Sequence, residues 1–137
     1  MIEVREAAAV IGLKVLTDTS SKTFIARFVN RYVKDPRSNW WWQVAKGPAK
    51  IVEYGNDDGL QQMQVLVGGD VMANLIVTDE QAEPLGVVSG TVASLLAVVR
   101  ECHAFEFVLA DVDLAWAIFD THHNSLVCVG SVADRST

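Results

Sequence analysis

The chain has few of the residues that small stapled folds depend on: two cysteines and three prolines among 137 residues. Cys102 falls in a helical pattern and Cys128 in a strand pattern, which reads as two small buried thiols rather than a disulfide framework. No apolar run approaches the ~18–20 residues needed to cross a bilayer. The opening segment, MIEVREAAAVIGLKVL, carries acids where a secretory signal has a basic flank. A cytoplasmic protein without a membrane partner is expected.

Cations are scarce in one half. Residues 1–69 hold nine Lys/Arg against seven Asp/Glu, a balance of +2, whereas residues 70–137 hold two against ten, a balance of -8, within a net charge of -6. An acidic half repels phosphate backbones, which excludes nucleic acid as its ligand and points to a basic protein surface instead. The plain alternative is a solvated acidic surface that aids solubility.

Catalytic signatures are also missing. Asp120, His122 and His123 lie within four residues, and His103 or Glu101 would be the further ligand of a metal held there. There is no HExxH, no paired CxxC and no second ligand cluster, so a turn with half-exposed imidazoles is the expected state. No serine sits in a GxSxG elbow, and Gly68-Gly69-Asp70 has neither GxGxxG spacing nor a Gly-Lys-Ser/Thr ending. Cys128, between Val127 and Val129, reads as buried, whereas a catalytic thiolate needs exposure and a nearby cation. The expectation is a protein with no catalytic residue, no metal and no cofactor.

What is present is apolar periodicity. Val4, Ala8, Ile11 and Val15 predict a helix over 3–15, weakened by Gly12. A stronger helix is predicted over 20–34, capped by Thr19, Ser20 or Ser21, with Phe24, Ile25, Phe28, Val29 and Tyr32 on one face. Asp35-Pro36 stops it. Trp40, Trp41 and Trp42 follow in a strand pattern, where consecutive side chains point to opposite faces. Trp40 and Trp42 share one face, and Trp41 on the other is the candidate exposed anchor for a partner.

A strand is predicted at Lys50–Tyr54, and Leu60–Val67 reads as a strand in preference to a short helix. Val71–Thr78 is a cleaner apolar strand, followed by a loop with Pro84 and Gly86. A helix over 90–102, capped by Ser89 or Thr91, leads into three strands between Phe105 and Gly130. In these, Phe105, Phe107 and Leu109, then Leu114, Trp116 and Ile118, alternate as strands packed on one face do. Their turns are the expected exposed parts. Helices, strands, one helix and a meander in that order predict a single α+β domain over 1–137. Its sheet is antiparallel or mixed, ends in a three-strand meander and carries about three helices.

The order from Phe105-Glu106-Phe107 through Asp111-x-Asp113-Leu114, Trp116, an apolar strand, Asp120-x-His122-His123-Asn124 and a last strand to Gly130 resembles small uncharacterised bacterial α+β proteins. Ile76-Val77-Thr78-Asp79-Glu80 and the Trp40 to Trp42 cluster extend the likeness. Some of these proteins resemble immunity proteins of contact-dependent inhibition and other polymorphic toxin systems. The resemblance implies a cognate protein toxin, bound and neutralised in the cytoplasm. Many toxins that cut nucleic acid are basic so as to hold their substrate, and acids on rigid turns would complement them. Asp79, Glu80, Glu83, Asp111, Asp113 and Asp120 are the candidate charge contacts, with Trp41 as the apolar one. The competing readings are a small hydrolase or metal-dependent enzyme using the Asp120, His122 and His123 turn, and a self-associating regulatory protein. The sequence leaves monomer and homodimer equally open.

Overall fold

In the computed structural model, which describes residues 2–33, 49–54, 59–77, 86–102, 107–120 and 125–131, the first apolar pattern breaks at Gly12. Helix α1 spans Ile2–Ile11. Gly12 then adopts φ +90, and the amides of Gly12 and Leu13 both donate to the Ala8 carbonyl. This is the left-handed exit that glycine makes without steric cost. The expected continuation to Val15 is instead a two-residue strand, β1 (Lys14–Val15).

Helix α2 (Asp18–Tyr32) begins earlier than predicted, because Thr17 is its cap and accepts from the Ser20 amide at 3.2 Å. Phe24, Phe28 and Tyr32 recur every four residues and are buried, with Ile25 and Val29 packed beside them. Strand β2 spans Ala49–Glu53 as expected. The segment read as a strand at 60–67 is helix α3 (Gly59–Val67). Met63, Leu66 and Val67 form its buried face, a spacing that only a helix brings together.

Strand β3 (Met72–Val77) follows, then β4 (Gly86–Thr91), in place of the expected loop around Gly86. Helix α4 (Val92–Glu101) is capped by Thr91, whose hydroxyl accepts from the Ser94 amide at 3.2 Å. The terminal strands are β5 (Phe107–Asp111), β6 (Trp116–Asp120) and β7 (Ser125–Gly130). Trp40, Trp41 and Trp42 lie outside the described residues.

The protein is α+β. Seven strands form one sheet in the order β1-β4-β3-β5-β6-β7-β2, and every pairing is antiparallel, so the mixed alternative falls away. The described residues hold four helices rather than about three. The three-strand meander is β5-β6-β7.

Both faces of the central strands are covered, which corrects the one-face expectation. Leu75, Leu109, Ile118 and Cys128 share a core with α1, α3 and α4. Ile76, Val108, Ala117, Phe119 and Val127 share another with α2. On that second face Phe28 packs on Phe119 with ring centroids 5.8 Å apart and on Tyr32 at 5.7 Å. Full burial of a phenylalanine contributes about 1.5–3 kcal/mol, so this aromatic column helps to tie α2 to the sheet. Among the described residues no helix is long and apolar enough to cross a membrane.

Candidate functional site

The β5–β6 connection builds an acid-bearing turn from local chemistry. Asp111 Oδ2 accepts from the Ala115 amide at 3.0 Å, and the Asp111 carbonyl accepts from the Leu114 amide at 3.0 Å. Aspartate suits this place because its short carboxylate reaches the amides that follow it. Leu114 takes φ 60, a left-handed conformation uncommon outside glycine. Burial of its side chain against the α2 core and a 2.5 Å hydrogen bond donated by the Tyr32 hydroxyl to its carbonyl hold it there.

Gly130 completes the lock. It has φ +74, and a Cβ at that position would meet the Ala115 carbonyl oxygen at 2.3 Å and the Tyr32 hydroxyl at 2.6 Å. Ser131, next along, donates its amide to the same Ala115 carbonyl at 2.8 Å. The turn is therefore pinned by α2 on one side and by the end of β7 on the other.

On this frame the predicted acids divide. Asp113 is exposed at the tip, and Asp111 is half-buried with its carboxylate committed to the turn. Asp120 lies in β6 rather than in a turn, at the opposite end of the hairpin, roughly 13 Å along the strand from Trp116. It is only 8% exposed, and the Tyr54 hydroxyl donates to its Oδ1 at 2.8 Å. The carboxylate is thus withdrawn from the surface, contrary to its expected display. Asp79, Glu80, Glu83 and Trp41 lie outside the described residues, as do His103, His122 and His123.

The Tyr54–Asp120 pair reaches across β7 from the end of β2 to the end of β6. The Tyr54 ring lies against Gly59 at the start of α3, where a Cβ would sit 2.8 Å from ring atoms. Burial first, then the hydrogen bond and charge of Asp120, push the phenol well above its ordinary value of 10.0. A phenol held in its protonated form is a donor that satisfies a buried carboxylate. The sequence places Tyr32 on an apolar helix face and Tyr54 at a strand end but gives no sign of either hydroxyl's partner, since each lies far away in the chain. Gly130 at the end of an apolar strand was the one local signal of close backbone approach.

Cys128 is buried, and that burial raises its thiol to about 11 against the lowering influence of Lys50; Cys102 is half-buried. A thiol so raised is inert at neutral pH. Among the described residues no group of three or more His, Cys, Asp or Glu is placed to hold a metal ion. No family model, curated protein or solved structure compared with this chain matches it.

Proposed function

We propose that the protein is a toxin-neutralising immunity protein that binds a basic, nuclease-like bacterial toxin through an acidic surface and blocks it without catalysis of its own. The observation that supports this reading is Asp113, exposed on a turn whose backbone is fixed on both sides. A carboxylate on a fixed backbone surrenders little conformational freedom when a partner arrives. The net charge of -6, concentrated in the second half of the chain, steers a cationic surface towards it. The resemblance of the chain to small bacterial α+β proteins, some of which resemble immunity proteins, supplies the class of partner.

Co-expression with the product of the adjacent reading frame tests the proposal. That product is expected to be toxic alone, tolerated in the presence of this protein, and recovered with it on purification. Asp113→Lys is expected to slow association, most strongly at low salt. A product that is harmless alone, or that remains toxic and fails to co-purify, ends the reading.

A further inference from the structure

On the three-helix face, α1 and α4 leave an open groove of ≈ 520 Å³ lined by Glu6, Ala7, Val10, Ile11, Ala97 and Glu101. The pattern follows from helix geometry. Glu6 and Val10, Ala7 and Ile11, and Ala97 and Glu101 are each four residues apart and so stack along one ridge. The half-buried Ala7 and Ala97 form the inner wall, where their small side chains leave space, and the rim is exposed. Val10 is 87% exposed and Ile11 37%, an unusual outlay of branched apolar surface on a ten-residue helix. The described lining carries two carboxylates and no cation.

We infer that this groove docks a basic amphipathic helix of the partner protein, with one apolar side chain inserted between α1 and α4 and flanking Lys or Arg meeting Glu6 and Glu101. Apolar walls select an apolar anchor, and the described rim, acidic at Glu6 and Glu101, selects the opposite sign around it. A compact polar ligand would find no converging hydrogen-bond donors among these residues. The inference rests on the reading of the chain as a binder of a basic protein, and adds the surface and the kind of element bound. α4 runs from Thr91 back towards the end of the sheet where β5 starts, so Glu101 and Asp113 lie towards opposite ends of the sheet.

The test uses the full chain, with amide chemical-shift mapping against a helical peptide that has a leucine face and a lysine face. A peptide carrying glutamates in place of the lysines is the control. Shifts are expected along residues 5–11 and 96–102 with the lysine peptide only. Glu6→Lys with Glu101→Lys is expected to weaken it at least tenfold, as is Val10→Lys, with circular dichroism unchanged. Shifts centred on Asp113 or spread over the surface, equal affinity for the two peptides, or an unaffected double variant would overturn the inference. So would a concentration-dependent dimer that Val10→Lys abolishes, since a second copy would then be the occupant. In toxin co-purification, loss with Asp113→Lys but retention with Val10→Lys removes the groove and leaves the proposed function standing. Failure of the unmodified chain to retain any toxin removes that function, and the peptide titration still decides the groove.

Discussion

The two faces of the sheet are closed in different ways. Among the described residues one helix, α2, covers its face with aromatic rings at four-residue spacing and with the buried Tyr32 hydroxyl, which reaches a strand turn. Three shorter helices cover the other face with aliphatic side chains, and two of them leave a seam where valine and isoleucine meet water. A face sealed by one element has no internal boundary. A face tiled by several has boundaries, and their walls are the places where apolar surface stays accessible without loss of core.

The sharpest way to break this contrast is Phe28→Ala on the sealed face. Phe28 is fully buried between Tyr32 and Phe119, and its truncation is expected to cost about 3–5 kcal/mol in urea unfolding. Gly130→Ala comes next. Its Cβ would press on the Ala115 carbonyl from a left-handed backbone, with an expected loss on the order of 3 kcal/mol and a lower melting temperature. Tyr32→Phe keeps the ring but leaves the Leu114 carbonyl without its hydroxyl donor. It is expected to cost about 1–2 kcal/mol.

The fourth prediction concerns alkaline pH. The Tyr54 phenol is raised in the folded state above its ordinary value of 10.0, so the folded chain keeps a proton that the unfolded chain releases. Its contribution to stability is complete below about pH 10 and is lost as pH rises beyond that towards the folded value. Stability measured by denaturation from pH 9 to 11 is expected to fall more steeply in the unmodified protein than in Tyr54→Phe. The smallest effect belongs to the open seam. Val10→Lys is expected to move stability by no more than about 0.5 kcal/mol, since Val10 is exposed. A large loss there would erase the distinction between the faces.

What the sequence made legible follows the range of the interactions involved. α2, β3, α4 and the meander carry periodic apolar patterns within a single element, and pattern reading found them. α3 was misread because Gln61, Gln62 and Gln64 dilute its apolar spacing, and the buried triad of Met63, Leu66 and Val67 is evident only once α4 lies beside it. β4 was missed because Ser89 and Gly90 dilute its apolar run. Gly90 packs closely there, since a Cβ would come within 2.7 Å of the Leu13 side chain in the α1–β1 connection. The exposed Asp113 and the turn-binding Asp111 lie within one hairpin and were readable as turn residues. The burial of Asp120 was not, because its partner Tyr54 is 66 residues away.

The strand order sets a schedule for folding. The outer strands, β1 and β2, come from the first part of the chain, while the strands they pair with, β4 and β7, come later. The meander closes through local hairpins, which form quickly, whereas each outer strand must wait for a distant partner. During synthesis the segment 49–53 leaves the ribosome long before 125–130. Until then its backbone donors and acceptors are met by water, and the pairing of β2 with β7 closes only after 125–130 has been made.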